Sequence, residues 1–430
     1  MIDKNEIPSN WSIATLETFL DYIQPTKYIV ESTEYHDSYK TPVLTAGKSF
    51  LLGYTNETEG VFTQLPTIIF DDFTTAIKFV NFPFKVKSSA MKILVPTSNL
   101  VNIKYVYYFM ETLRITADTH KRYWISVGAK QNIPVPPLAE QNRIVAKIEE
   151  LFSELDKGIE ALKTAQVQLK VYRQAVLKYA FEGKLTSPDL KDGELPEGWT
   201  ELPLDKLGEI NSGGTPSTSE PKYWGGDIPW ISPVDLSGFV QKYISVGRKS
   251  ITMSGLQKSS AKLLPIGTVL FSSRAPIGYV AIANNELCTN QGFKSVTPNP
   301  EVDSELLYYS LKCNVNQAEK LASGTTFLEI SKAAFSKLLL KLPRDKNEQL
   351  DLVREIESRL SVCDKIEESI EQGLQQAEAL RQSILKNAFE GKLVPQDPDD
   401  EPASVLLERI KAERAAIKPM KKTRKSKEKV

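Results

Sequence analysis

The sequence predicts an α+β protein in which two mixed α/β domains are separated by a pair of long coiled-coil helices. Three observations carry this reading: a gapless internal repeat, an apolar seam of heptad spacing inside it, and short β-rich runs closed by turn residues between the copies. At 430 residues the chain exceeds the size at which a single core keeps growing. The repeat is explicit. Glu140-Gln141 through Phe181-Glu182-Gly183-Lys184-Leu185 returns as Glu348-Gln349 through Phe389-Glu390-Gly391-Lys392-Leu393, every position displaced by 208 residues. About 20 of roughly 46 aligned positions are identical, too many for chance.

Residues 1–138 form the first domain. It opens on Ile7-Pro8-Ser9-Asn10-Trp11 and holds the runs Thr67-Ile68-Ile69-Phe70 and Lys92-Ile93-Leu94-Val95. Such β-branched and aromatic stretches fit a pleated, half-buried surface. Residues 139–194 supply the first long helix and a linker. Ile144, Ile148, Leu151, Leu155, Leu162, Ala165, Leu169, Tyr172 and Val176 follow steps of three and four, with Gly158 in one intervening slot; that spacing sets them on one helical stripe. Gly183 and then Pro188 stop the helix, because glycine takes the left-handed turn of a helix end without a steric penalty.

Residues 195–343 form the second domain. Its opening, Leu195-Pro196-Glu197-Gly198-Trp199, echoes the first, and the turns Gly213-Gly214-Thr215-Pro216 and Gly225-Gly226-Asp227 precede the run Thr268-Val269-Leu270-Phe271. Residues 344–396 repeat the helix: Leu352, Ile356, Cys363, Ile366, Ile370, Ala377, Leu380 and Ile384 share the seam, Arg359 and Gly373 are its weak slots, and Gly391 with Pro395 ends it. Residues 397–430 add a short helix and a basic tail, Lys418 to Lys429. A helix this long with one apolar stripe must pair, and its duplicate is the obvious partner. Segments 12–130 and 200–335 show no comparable match, so the order is variable, shared, variable, shared.

Composition excludes several classes of function. Lysine plus arginine equals aspartate plus glutamate at 54 each, so a DNA-binding face has to come from local segregation of charge. Three dispersed cysteines exclude a disulfide framework and a zinc finger, and the two histidines, His36 and His120, cannot build a histidine-rich metal site. No apolar run approaches the roughly 20 residues of a membrane span and the first residues lack the order of a signal peptide, so a cytoplasmic protein is expected.

Motifs that imitate chemistry have simpler explanations. Pro42 to Ser49 ends like a phosphate-binding loop, but Pro42 has no N–H where the first glycine is required. Glu182-Gly183-Lys184 and Glu390-Gly391-Lys392 suggest half of a nuclease site, yet they fall where a helix needs its glycine stop. Asp71-Asp72 lacks a third ligand, and Asn299-Pro300-Glu301, the nearest approach to an amine-methyltransferase loop, is a turn.

What remains is a set of cations beside hydroxyls and rings, groups that can hold phosphates and read base edges. In the first variable region it comprises Lys85, Lys87, Ser88 and Ser89, with Arg122 and Tyr123. In the second it comprises Thr215 and Ser217, Lys222 and Tyr223, Arg274, Gln291 and Thr325.

At these residues the chain resembles the specificity subunit of a type I restriction-modification system, over nearly its whole length. The resemblance rests on Gly213-Gly214-Thr215-Pro216-Ser217 leading to Tyr223-Trp224-Gly225-Gly226-Asp227-Ile228-Pro229-Trp230-Ile231, on Ser273-Arg274-Ala275-Pro276-Ile277-Gly278 and on Thr289-Asn290-Gln291-Gly292-Phe293. Pro136-Pro137-Leu138-Ala139-Glu140-Gln141 before the helix adds to it; the second copy departs there, with Leu342-Pro343-Arg344-Asp345-Lys346-Asn347 in place of the double proline. Leu44-Thr45-Ala46-Gly47-Lys48-Ser49 and Phe70-Asp71-Asp72-Phe73-Thr74-Thr75 resemble a different class of recognition domain, which adds Lys48 and Ser49 to the DNA-binding candidates.

The resemblance implies two target-recognition domains on an antiparallel, pseudo-two-fold pair of helices, reading a bipartite, asymmetric site in double-stranded DNA. It also implies two methyltransferase subunits and restriction/translocase subunits as partners, with no membrane. S-adenosylmethionine, and ATP with Mg for restriction, belong on those partners; this chain itself is expected to hold no cofactor and no metal and to catalyse nothing. Two other readings stand beside it: a coiled-coil scaffold that binds only proteins, and the recognition part of a type II-like methyltransferase or nuclease.

Overall fold

The computed structural model describes residues 7–45, 50–113, 123–191, 193–274, 276–324 and 328–417. Five helices organise the chain: α1 (Ile103–Thr112), α2 (Leu138–Phe181), α3 (Ser304–Cys313), α4 (Lys346–Phe389) and α5 (Ala403–Ile417). Two compact units form, Met1–Ala161 with Gly373–Val430 and Leu162–Gln372. Each long helix contributes one half to each unit. Among the described residues no helix is long and apolar enough to cross a membrane.

In the first unit the variable region builds a four-stranded antiparallel sheet in the order Leu20–Ile23, Met91–Pro96, Thr67–Asp71, Ile77–Val80. A three-stranded sheet of Leu51–Thr55, Thr41–Leu44 and Lys85–Val86 lies beside it in sequence, its last pair parallel. Thr67–Asp71 is buried at every position, as expected of a central strand, and Phe70 packs on Trp124 with ring centroids 5.5 Å apart. Ser12–Thr15 pairs antiparallel with Asn132–Val135, which brings the start of the domain to its end immediately before α2.

In the second unit a five-stranded sheet runs Gly208–Ser212, Lys294–Pro298, Val269–Phe271, Val280–Ala283, Tyr243–Ile244. A three-stranded sheet holds Lys249–Ile251, Trp224–Ile231 and Cys288–Thr289. Trp199–Pro203 pairs antiparallel with Leu339–Pro343 and closes this domain as the first is closed. The two domains thus share their closing ribbon and differ in their sheets.

The long helices pair antiparallel in each unit. In the first, Ile144, Ile148 and Phe152 near the start of α2 share a core with Ile384, Leu385, Ala388 and Phe389 at the end of α4. In the second, Leu177, Ala180 and Phe181 at the end of α2 meet Leu352, Val353 and Ile356 at the start of α4. The seam is narrower than its spacing predicts. On α4, Ile356, Cys363, Ile370, Ala377 and Ile384 are buried at seven-residue steps, whereas Ile366 and Leu380 are exposed, as is Tyr172 on α2. Leu151, Leu155, Leu162 and Ala165 are half-buried. The second row of α4 interleaves Arg359 and Gly373 with Ile366 and Leu380, so it offers no continuous apolar surface for a single partner helix to cover.

The echo between the domain openings has a structural cause. Gly183 ends α2 at φ +76° and a Cβ there would lie 2.3 Å from Cγ of Pro196; Gly391 ends α4 at φ +71° with the same atom of Pro8 at 2.5 Å. Each stop glycine is therefore needed twice, for its left-handed backbone and for the proline seated against it. In the first unit this joint ties Pro8 and Trp11 to the end of α4. Trp11 Nε1 donates to Glu140 Oε2 at 3.0 Å, and Gln396 Nε2 donates to Oε1 of the same carboxylate at 2.6 Å. Burial nevertheless raises the Glu140 carboxyl above its usual range, against these two donors. The C-terminal α5 then buries Ala403, Leu406, Leu407 and Ile410 in the core of the first unit, with Ser98 Oγ donating to Glu413 at 2.5 Å.

Candidate nucleic-acid interface

The frame presents the two domains through one repeated contact. Helix α1 is N-capped by Asn102, whose side chain accepts from Tyr105 N, and α3 by Asp303, which accepts from Glu305 N and Leu306 N. Five residues after each cap stands a tyrosine pair, Tyr107-Tyr108 and Tyr308-Tyr309. Tyr309 donates to Glu357 on α4 at 3.3 Å, and Tyr108 lies near enough to Glu149 on α2 for that carboxylate to act on it; the two glutamates occupy equivalent positions of the repeat. Burial, with the adjacent glutamate charge, pushes Tyr108 up to about 12 and drives Tyr309 higher. Segments 12–130 and 200–335 show no comparable match to each other in sequence; the Asx cap followed by Tyr-Tyr at a fixed offset is the signal they share.

In the first domain the structure divides the candidates. Lys87, Ser88 and Ser89 are exposed, Lys87 with its ammonium 3.4 Å from Tyr35 Oη and near that ring. Lys85 is a correction. It is 4% exposed, pairs with Glu57 at 2.5 Å and donates to the carbonyl of Glu59 at 2.8 Å, so it fastens the domain interior and is not available to a phosphate. Tyr123 is likewise a core side chain, buried with Trp124 against α1 and the strands. A lysine and a tyrosine carry no local sign of burial in sequence; packing against Glu57 and Glu59, and against the domain core, turned both inward. Lys48, Ser49 and Arg122 lie outside the described residues.

In the second domain scattered segments converge. Thr215 donates to Gln291, joining the Gly213–Ser219 loop to the Asn290–Gly292 loop. The approach is close because Gly213 carries no side chain: a Cβ there would lie 1.9 Å from the Asn290 carbonyl. Trp230 Nε1 donates to the Gly214 carbonyl at 2.9 Å and holds the loop from beneath. Behind Gln291 sits Lys294, buried, 3.2 Å from Ser273 Oγ and 3.4 Å from Glu329, which also pairs with Arg274 at 2.9 Å. Burial lowers the Lys294 ammonium below its ordinary range, and the Arg274 charge adds to that effect against the Glu329 carboxylate. Arg274 is thus held by a carboxylate, a geometry that orients its guanidinium and leaves the cluster net cationic.

Ser217 Oγ lies 2.8 Å from Ser219 Oγ, and the exposed Lys222 pairs with Glu220 at 3.3 Å and lies over the Tyr223 ring. Thr325 lies outside the described residues. The arrangement is a polar, cation-bearing surface; among the described residues no group of three or more His, Cys, Asp or Glu side chains is placed to hold a metal ion.

Comparison with known proteins gives this surface its context. The family described as the type I restriction modification DNA specificity domain matches residues 8–164 and 196–378. The specificity subunit of the EcoR124I/EcoR124II type I restriction enzyme of Escherichia coli is 36% identical over 382 residues, 84% of this chain and 88% of that one. The MjaIX specificity subunit of Methanocaldococcus jannaschii is 36% identical over 216 residues, half of this chain. In fold, the chain is similar to one solved in work on complex assembly and conformational transition of the type I R-M system, at TM-score 0.66 and 20% identity, covering 90% of this chain and 99% of that one. It is also similar to the HsdS subunit from Thermoanaerobacter tengcongensis, at TM-score 0.54 and 21% identity, covering 90% and 98%. Matched on both halves and to a relative across most of its length, the chain belongs to the DNA specificity subunits of type I restriction-modification systems.

Proposed function

We propose that this chain reads a bipartite, asymmetric site in double-stranded DNA, one half through each domain, and directs adenine methylation there by two methyltransferase subunits and cleavage by restriction subunits. The observation that carries the proposal is the combination of one repeated frame with two unlike readers. The Tyr–Glu contact, the proline–glycine joint and the closing ribbon recur, while the sheets they support differ in strand number and order. A repeated frame suits the repeating phosphate backbone, and unlike domains suit unlike base sequences.

The chemistry belongs on the partners in this reading. S-adenosylmethionine, ATP and Mg are held by the methyltransferase and restriction subunits, and this chain contributes no reacting group. The open apolar side chains of the helices in the second unit, Val167, Val171, Val362 and Ile366, fit a docking role for the methyltransferase. The test is the methylome of cells carrying this subunit with its methyltransferase. A two-part motif is expected, and replacing residues 200–335 by the corresponding domain of a relative should change one half and spare the other. A swap that altered both halves, or an assembled complex that methylates without sequence preference, would overturn the reading.

A further inference from the structure

We propose that a groove on the second domain, between Trp224 and the strand Lys249–Ile251, grips the DNA backbone through Arg248 and Lys249, two residues that the sequence motifs did not single out. The inference rests on the reading of the chain as a DNA-binding subunit and names a surface that performs the binding. Thr218, Trp224, Gly225, Arg248, Lys249 and Ser250 line an open groove of about 380 Å³. It continues from the Gly213–Ser219 loop, whose Thr215 meets Gln291.

The charge in the groove is unbalanced. Lys249 has its ammonium 5.3 Å from the centre of the Trp224 ring, and among the described residues no carboxylate forms an ion pair with it. Arg248 is exposed, and its Nε is 3.9 Å from Asp235 Oδ1. That carboxylate is itself buried and already accepts from Ser232 N, Ser232 Oγ and Arg248 N, so it holds the guanidinium only loosely. The hydroxyls of Thr218 and Ser250 supply neutral donors at the rim.

The groove is also preformed. Trp224 Nε1 donates to the Ser217 carbonyl at 3.1 Å and the indole meets Trp230 edge-on at 5.1 Å, which fixes the ring under Lys249. Trp224 and Ile228 both face Ile251 in the strand pairing, so the register shift between them leaves residues 225–227 without a partner, and Gly226 is required there because a Cβ would lie 2.6 Å from the Ile251 carbonyl. Gly225, at φ +78°, has nothing near the position of a Cβ and leaves the floor open. Two adjacent cations, Lys249 without an ion pair among the described residues and Arg248 only loosely held by Asp235, match a phosphodiester chain together with the neutral donors and the open access. Trp224 acts through Lys249 and is a positioning residue.

The test uses the subunit assembled with its methyltransferase partner and measures the affinity for cognate and scrambled duplexes over a range of salt. Wild-type discrimination between the two duplexes is established first; its absence would remove the reading on which the groove rests. Arg248→Ala and Lys249→Ala should each weaken binding to both duplexes and flatten the slope of log affinity against log salt by about one. Lys249→Arg should restore the slope, and the methylated bases should stay the same. Unchanged slopes in both alanine variants of a complex that still discriminates would overturn the groove and leave the DNA reading intact. Loss of assembly with the methyltransferase, at an unchanged slope for the complex that does form, would mean that the groove meets protein, and would overturn it equally.

Discussion

Arg173 on α2 donates to Asp364 on α4 at 2.6 Å, and the 208-residue repeat turns this pair into its own counterpart: Arg173 corresponds to Arg381 and Asp364 to Asp156, which also pair. One arginine–aspartate contact thus serves in the second unit and again in the first, with the helices exchanging roles. Each is elaborated locally. Arg173 also reaches Glu367 at 2.7 Å, and Arg381 lies 4.1 Å from the centre of the Phe152 ring.

The two pairs should have similar and modest energies. Asp364 and Asp156 are mostly exposed, so double-mutant cycles on urea unfolding are expected to return about 0.5–1 kcal/mol for each pair. Arg381→Ala alone should exceed its pair energy, because it also uncovers Phe152.

The narrow seam makes a contrast that the heptad spacing does not. Ile148→Asp or Ile356→Asp puts an unpaired carboxylate at a fully buried position and should lower stability by about 3–5 kcal/mol. Ile366→Asp and Leu380→Asp, at exposed positions of the same heptads, should change the unfolding midpoint little, within about 0.5 kcal/mol.

The glycine stops predict a linked pair of substitutions. Gly391→Ala forces a Cβ into left-handed backbone and against Pro8, together about 3 kcal/mol of destabilisation. Adding Pro8→Gly removes the clash but not the backbone penalty, so the double variant should recover more than half of the loss in thermal unfolding.

Acid should act on the first domain through Glu57. Burial by itself raises that carboxyl, but Lys85 and the N–H groups of Ser32 and Glu31 outweigh it and hold the group below its ordinary 4.5. A carboxyl lowered on folding contributes in full above its unfolded value, and that contribution is lost as pH falls through the folded one. Glu57→Gln strands the buried Lys85 and should cost about 3 kcal/mol near neutrality. The gap from wild type should stay constant down to about pH 4.5 and close below it. A gap that persists unchanged in stronger acid would show that the ion pair is not its source.

Local patterns were enough for the helices, their stops and the duplication. A period of three and four residues and a glycine followed by proline act within a few turns of chain, so Leu138–Phe181 and Lys346–Phe389 lie within two residues of where those signals place them. The convergence in the second domain was only half legible. Thr215, Arg274 and Gln291 stood out as residue types, but their meeting depends on Gly213 admitting the Asn290 backbone and on Glu329 arriving from a distant loop.

The sequence by itself determined that the chain is a duplication, that its shared parts are long amphipathic helices and that its two other domains diverge, because repeats, periodicity and turn chemistry are written in neighbouring residues. Only the tertiary structure decided which of those residues face outward. Lys85 turned inward to Glu57, Tyr123 entered the core, Ile366 and Leu380 stayed open, and Tyr108 and Tyr309 took the same place on the repeated frame. Burial and pairing are set by contacts between segments far apart in the chain, and a charge or a ring has the same local signature whether its partner is solvent, a carboxylate or another helix.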